Sequence, residues 1–304
     1  MTQQLRADIM LVLVTLFWGV SYWLIDISLT VMDPFTLNTY RFLIAFFLAV
    51  VMTYPNLKNV SRITIKYSAI LGVALIFVYI GATFAVRYTS LSNAGFLCAL
   101  TVVITPILGF VFLKQKLQKK LAIVVLMCLI GIGLLTLNEE LKPALGDLLA
   151  IMAAVAYAIH LLITESAVKK EGVNAFHLGV FQLGFTGLFN LILALIVEEP
   201  KLPSTLDVWG AVLFLSIFCT GLAFIIQTVA QQYTSASHVG IIFSLEPVFA
   251  GLVAFILAGE VLAPRGYLGA GLLVASLFIM ELEVEKIPVK AINMVKNLTL
   301  FKKE

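Results

Sequence analysis

One acidic residue lies deep within an apolar stretch of the sequence. Glu246 stands ten residues after that stretch begins near residue 236, and Pro247 follows it directly. Ionisable side chains inside a membrane are costly and usually face a protein interior or a wet cavity. Glu246 is therefore the first candidate for binding an ammonium group or carrying a proton. The alternative is structural, with Glu246 satisfying backbone groups that Pro247 leaves without a partner.

Other polar and aromatic residues fall at helical spacings that would bring them near Glu246. His238 and Ile242 share a helical face with it, at steps of four residues. Residues at comparable depth in other apolar runs are Trp18, Ser21, Tyr22, Tyr79, Tyr157, His160, Phe224 and Gln227. As a set they predict an aromatic-walled cavity with a few hydrogen-bonding groups, the usual chemistry of a small-molecule site. Singly, each aromatic residue is more simply explained by packing, and His238 by a position at the membrane interface.

Arg41 is the one basic residue inside an apolar run. It lies near the start of the second run, where its side chain could snorkel to the surface or pair with Asp26 or Asp33. We expect a structural or gating ion pair rather than contact with a substrate. The cysteines lie singly in apolar runs without metal-ligand spacing, so they are interpreted as packing residues, and no metal or cofactor is expected. They are Cys98, Cys128 and Cys219.

The composition requires a membrane to bury these runs. Of the 304 residues, 61% are hydrophobic and 12% are charged, with a net charge of +3. Soluble domains carry roughly twice that charged fraction, and a spanning helix needs about 20 apolar residues. The sequence predicts an all-α integral membrane protein with ten transmembrane helices. The predicted spans are 8–30, 35–54, 66–87, 92–113, 120–137, 147–168, 175–197, 207–230, 236–258 and 266–282.

The distribution of Lys and Arg predicts the orientation. With the N-terminus in the cytoplasm, fifteen of them fall on the cytoplasmic side and four outside it, as the positive-inside rule requires. The four outer residues are Arg87, Lys142, Lys201 and Arg265. Both termini are therefore predicted to be cytoplasmic in a multi-pass protein of the inner membrane. Residues 283–304 form a basic tail, either an amphipathic helix on anionic lipid or a disordered segment.

The two halves of the chain repeat each other. At an offset of 145 residues, segment 88–95 (YTSLSNAG) aligns with 233–240 (YTSASHVG), with five of eight positions identical. This offset relates His238 to Asn93 and Glu246 to Thr101, while an offset of 139 relates Asp8 to Asp147. The repeats are 7–137 and 146–282. Because five crossings are an odd number, the second repeat is inverted, an arrangement that places a substrate site near mid-membrane.

Several motifs resemble the EamA-type branch of the drug/metabolite transporter superfamily, and the resemblance covers nearly all of residues 7–282. They are Trp18-Gly19, Pro34 with Arg41, Tyr88-Thr89-Ser90 leading to Asn93-Ala94-Gly95, Leu245-Glu246-Pro247, and Gly259-Glu260. The first half departs from the pattern, with Lys114-Gln115 in place of the Gly-Glu pair. The resemblance implies a ten-helix transporter with a central cavity, with the fifth and tenth helices at the periphery. It places Trp18, Tyr79, Asn93, Tyr157, Gln227 and Glu246 in the lining.

These observations together predict a secondary transporter that exports small metabolites, with amino acids as the leading class, by alternating access. The alternatives are a proton-coupled exporter of lipophilic cations and, more distantly, a nucleotide-sugar carrier, for which the spans lack basic residues other than Arg41. An enzyme is not expected, because the three histidines are scattered over three spans. The expected partners are a small substrate, the bilayer and, for a coupled carrier, protons, but no nucleic acid. We expect a monomer or a homodimer.

Overall fold

The structure of this chain, a computed structural model, consists of apolar helices. It describes residues 2–89, 91–114, 119–136, 145–258 and 264–281. Within these residues there is no strand. The helices of the first half are α1 (Gln3–Leu29), α2 (Pro34–Thr53), α3 (Arg62–Tyr88), α4 (Leu91–Ala99), α5 (Thr101–Leu113) and α6 (Lys119–Thr136). Those of the second half are α7 (Leu145–Val168), α8 (Ala175–Val197), α9 (Leu206–Phe214), α10 (Ala223–Ala230), α11 (Ala236–Phe243), α12 (Glu246–Ala258) and α13 (Pro264–Glu281).

Short polar side chains set the beginnings of several helices. Ser61 accepts a hydrogen bond from the backbone N–H of Thr64, and Asn174 accepts one from that of His177. Ser235 caps α11 in the same way. Such caps satisfy N–H groups that have no partner inside the helix. The polar residues between the apolar runs therefore determine where these helices begin.

The prediction of a helical membrane protein is confirmed. Six described helical segments are long and apolar enough to cross a bilayer, and two shorter apolar stretches, 97–113 and 236–250, accompany them. Helices lie on all ten predicted ranges, with boundaries that differ by a few residues. The count of ten crossings and the inverted repeat stay predictions. The basic tail 283–304 and the Gly259-Glu260 turn lie outside the described residues.

Three of the predicted spans are not continuous α-helices. The fourth breaks at Leu100, between α4 and α5, and the ninth breaks at Ser244 and Leu245, between α11 and α12. Leu100 and Leu245 are equivalent at the 145-residue offset. Between α9 and α10, a π-helical segment covers Leu215–Leu222. Such wider turns often occur at functional sites because they displace side chains and carbonyl groups from regular positions.

Close helix contacts hold the bundle around its centre. A Cβ atom on Gly19 of α1 would lie 2.6 Å from Cβ of Phe249 in α12, and one on Gly81 of α3 would overlap the Leu149 carbonyl in α7. Small residues allow such approach between membrane helices. At the periphery α6 packs against α13, where Sγ of Cys128 lies 3.1 Å from Oγ of Ser276.

Candidate functional site: a central cavity

A cavity of about 630 Å³ lies between the helices, counted out to its open mouth. It is lined by Trp18, Ser21, Tyr22, Ile25, Arg41, Val78, Tyr79, Ala82, Cys98, Thr101, Ala153, Tyr157, Phe224 and Glu246. Both halves of the chain contribute to this wall, and among its described residues only Arg41 and Glu246 bring formal charges to it.

Trp18 is the centre of an aromatic cluster on one side of the cavity. Its ring lies 4.7 Å from that of Phe243, 5.7 Å from that of Tyr157 and 5.8 Å from that of Phe224, all between ring centroids. The indole Nε1 donates a hydrogen bond of 2.8 Å to the carbonyl of Cys219. Because Cys219 lies in the π-helical segment, that segment fixes the orientation of the indole.

Glu246 lies at the first residue of α12, where the helix break ends. Its side chain is partly exposed to the cavity, while Leu245 and Pro247 on either side are buried. Tyr22 is its hydrogen-bonding neighbour and also faces Cys98. The backbone N–H groups at the start of a helix favour a negative charge, so the break stabilises a carboxylate at this position. Thr101, its equivalent in the repeat, is likewise the first residue of its helix and lines the same cavity.

Arg41 is buried in the wall, with 1% of its surface exposed. Its Nε donates a hydrogen bond of 2.9 Å to Oγ1 of Thr220 in the π-helical segment, and the guanidinium carbon lies 4.7 Å from the ring centroid of Tyr79. Arg41 forms no ion pair with Asp26 or Asp33 among the described residues: Asp33 lies 3.4 Å from Nη1 of Arg87, and Asp26 is in none of the ion pairs. Seven residues after the start of α2 at Pro34, Arg41 faces the bundle interior rather than the surface.

A buried polar network lies behind the aromatic wall. The hydroxyl of Tyr157 donates to Gln227, whose amide donates to Gln231, and Gln231 donates to the carbonyl of Leu161. His160 lies 2.8 Å from Gln182, which in turn donates to Thr228. His160 and Gln227 therefore support the cavity wall through their neighbours and do not themselves line it.

The end of the bundle that carries residue 3, called here the N-terminal face, has polar contacts both between the two halves and within the second half. His238 Nε2 lies 3.2 Å from Asp8 Oδ1, with both side chains largely buried. Glu165 accepts a hydrogen bond of 2.8 Å from the N–H of Ala236 and pairs with Lys169 at 2.6 Å. His238 therefore lies away from the cavity, at a contact between α1 and α11.

The structure brings together eight of the residues singled out in the sequence, together with Thr101, the repeat equivalent of Glu246. The eight are Trp18, Ser21, Tyr22, Arg41, Tyr79, Tyr157, Phe224 and Glu246. His160, Gln227 and His238 lie outside the lining. Asn93 belongs to α4, and its side chain lies outside the described part of the chain. Sequence reasoning missed Ile25, Val78, Ala82 and Ala153, apolar residues with no distinguishing signal, and it assigned Cys98 to packing alone.

Comparison with known proteins identifies the group to which this architecture belongs. The model of the EamA-like transporter family matches the chain twice, over residues 5–137 and 144–282. An uncharacterized transporter of Archaeoglobus fulgidus is 30% identical over 282 residues, covering 93% of this chain and 88% of its own. An uncharacterized transporter of Clostridium kluyveri is 25% identical, covering 75% and 77% of the two chains.

A solved crystal structure shares the fold. It superposes with a TM-score of 0.77 at 17% sequence identity, covering 93% of this chain and 99% of the other. With the double family match over nearly the whole length, the assignment is clear: the chain is a multi-pass membrane protein and belongs to the EamA-like transporter family.

Proposed function

We propose that this transporter exports small metabolites, with amino acids as the substrate class, by alternating access through the central cavity. The observation that carries the proposal is the Glu246 carboxyl, which faces a cavity walled by aromatic residues from both halves. A carboxylate in such a cavity binds a substrate ammonium group through charge and hydrogen bonds. The aromatic wall, with Trp18, Tyr79 and Tyr157, supplies apolar contact and a few hydrogen-bonding groups.

Alternating access is supported by the repeat. The breaks at Leu100 and Leu245 occupy equivalent positions in the two halves, and each is followed by a cavity residue, Thr101 or Glu246. Interrupted helices near mid-membrane are a common basis for substrate sites in transporters with inverted repeats. The contact between Asp8 and His238 acts as a gate on the N-terminal face, which the Lys and Arg distribution assigns to the cytoplasm. Glu246 doubles as the group that exchanges a proton for the substrate.

The second candidate is an exporter of lipophilic cations. The same carboxyl and aromatic rings, among them Trp18 at the centre of the wall, favour a flat or quaternary cation through charge and cation–π contact. Such a substrate needs no carboxylate, so a direct comparison of substrates separates the two candidates.

The test is transport by the purified protein reconstituted in liposomes. Radiolabelled amino acids and one quaternary ammonium dye are offered with and without a pH gradient, to the wild type and to Glu246→Gln. Glu171→Gln is the matched control, because it makes the same chemical change at an exposed residue outside the cavity. We expect saturable amino-acid flux that Glu246→Gln abolishes or uncouples from pH and that Glu171→Gln leaves unchanged.

Two other results would change the assignment. Amino-acid flux that Glu246→Gln leaves intact would reduce Glu246 to a structural partner of Pro247. Flux of the dye alone would replace the amino-acid assignment with that of a lipophilic-cation exporter.

A further inference from the structure

The guanidinium of Arg41 is a buried cation with most of its donors unused. Arginine has five N–H donors in a planar fork, and among the described residues only the donor on Nε has a hydrogen-bond acceptor, the hydroxyl of Thr220. Nη1 is buried and has no partner. No carboxylate oxygen of the described residues lies within 4.0 Å of a guanidinium nitrogen of Arg41, the distance that defines an ion pair.

Such an arrangement is unfavourable without a counterion. Removing a cation from water costs several kcal/mol unless charge and hydrogen bonds compensate for it. Contact with the ring of Tyr79, at 4.7 Å, offsets a part of that cost, and the Thr220 hydroxyl is uncharged. A group that served only to pack helices would not need a charge here, so the unused donors point to an anion that is absent from the structure.

We propose that Arg41 is the carboxylate subsite of the cavity, so that substrates carry both an ammonium group and a carboxylate. This inference rests on the proposed function and narrows its substrate class to zwitterions. Arg41 and Glu246 line one cavity and are the two charges in its described wall. A zwitterion would neutralise both at once, with its carboxylate on the guanidinium fork and its ammonium group on Glu246.

The chemistry of the site favours a carboxylate over other anions. A guanidinium matches the two oxygens of a carboxylate with two parallel hydrogen bonds. A phosphate group carries more charge than one arginine neutralises, and the other lining residues supply no second cation. The carboxyl of Glu246 in the same cavity also repels a ligand with net negative charge.

The experiment compares ligands that differ only at the carboxylate. Binding to the purified protein in detergent is measured by thermal shift and calorimetry for each proteinogenic L-amino acid and its α-carboxamide, which keeps the ammonium group and removes the negative charge. We expect the amino acids that bind to do so about ten- to a hundredfold more tightly than their amides, the range for charge-assisted hydrogen bonds. The comparison requires only the wild-type protein, so it does not depend on the folding of a variant.

Variants then assign the difference to Arg41. In Arg41→Gln the preference for the acid over the amide should disappear, and Arg41→Lys should retain a part of it, because lysine keeps the charge but lacks the fork. Arg87→Gln is the matched control, since Arg87 also loses a positive charge but is half exposed and lies outside the cavity wall. It should keep the full preference.

The possible failures are distinguishable. Equal binding of acids and amides, or a preference that survives Arg41→Gln, overturns the carboxylate subsite while an amine exporter stands. Binding of the quaternary ammonium dye without any amino acid overturns both the subsite and the proposed function.

Discussion

Among the described residues, the Arg41 guanidinium has one hydrogen-bond partner, the neutral hydroxyl of Thr220. The hydroxyl of Thr220 accepts the hydrogen bond from Nε at 2.9 Å, and the π-helical turn that contains Thr220 directs this hydroxyl toward α2. Thr220 therefore acts as a positioning residue, which would influence a ligand through the arginine.

Replacing Thr220 by valine tests this role, because valine keeps the shape and removes the hydroxyl. The variant leaves Nε of Arg41 buried without an acceptor, a loss of about 1–3 kcal/mol, and it should also weaken the preference for carboxylates over amides. Thr15→Val is the control, since the hydroxyl of the equally buried Thr15 bonds only to a carbonyl of its own helix, that of Val12. Thermal unfolding and ligand binding check both effects. Equal behaviour of the two variants would contradict the positioning role.

The sequence could reveal the charged residues of the cavity but not their partners. Glu246 and Arg41 were detected because charges inside apolar runs are costly and therefore rare. Thr220 carries no such signal, and its span is distant in sequence. Likewise, helical spacing placed Tyr157 and His160 on one face, yet only Tyr157 lines the cavity. The rotation of each helix against its neighbours decides such details, and it depends on packing across the whole bundle.

Helix boundaries were predicted to within a few residues, whereas interruptions inside the spans were not. Pro247 signalled a disturbance in the ninth span, and it lies in the first turn of α12, where proline is tolerated because that N–H needs no helical acceptor. Pro106 indicates a bend in the fourth span, but it lies inside α5, six residues beyond the break at Leu100. Nothing in the sequence of the segment Leu215–Leu222 indicates a π-helical turn. These features arise from tertiary contacts, such as those that Trp18 makes with Cys219.

The approach of α1 to α12 gives a prediction for these two helices. Gly19 allows the contact, and a methyl group there would lie 2.6 Å from Cβ of Phe249, 2.9 Å from its carbonyl carbon and 2.8 Å from the backbone N of Ala250. Gly19→Ala should therefore separate the helices, displace Trp18 from the aromatic cluster and destabilise the protein by about 1–3 kcal/mol, as overpacking does.

Gly95→Ala is the control for this change. Gly95 is also helical, in α4, but a methyl group there has no neighbour within 4 Å, so alanine should be neutral or slightly stabilising through its helix propensity. Thermal unfolding in detergent compares the two variants. If Gly19→Ala is as stable as Gly95→Ala, the close approach of α1 to α12 is incorrect.

The contacts between the two halves follow the same pattern at both ends of the bundle. On the N-terminal face, Asp8 of the first helix contacts His238 in the second half. At the opposite end, the equivalent Asp147 accepts a hydrogen bond of 2.7 Å from Thr89 of the first half. Each half thus offers an aspartate to the turn or helix start of the other. Two such related contacts at opposite ends are what the proposed alternating access would require.

Under the proposed alternating access, the reactivity of Cys98 can report the side of the membrane to which the cavity opens. Cys98 lines the cavity, whereas Cys128 and Cys219 are fully buried, so a membrane-impermeant thiol reagent should modify Cys98 when the cavity opens to its side. Asp8→Asn removes the charge that holds His238 and should favour opening at the N-terminal face. A bias of about 1.4 kcal/mol corresponds to a tenfold rise in the open population, and the labelling rate from that side should rise with it.

Labelling in inside-out and right-side-out membrane vesicles measures this shift. In Asp8→Asn the rate should rise on the side of the N-terminal face and fall on the other, because the two open states draw on one population. Asp207→Asn, at an exposed position in the first turn of α9, should leave both rates unchanged, and Cys98→Ser should abolish the signal. Equal increases on both sides would mean that Asp8 only maintains tight packing, since a gate between alternating states must open one side at the expense of the other.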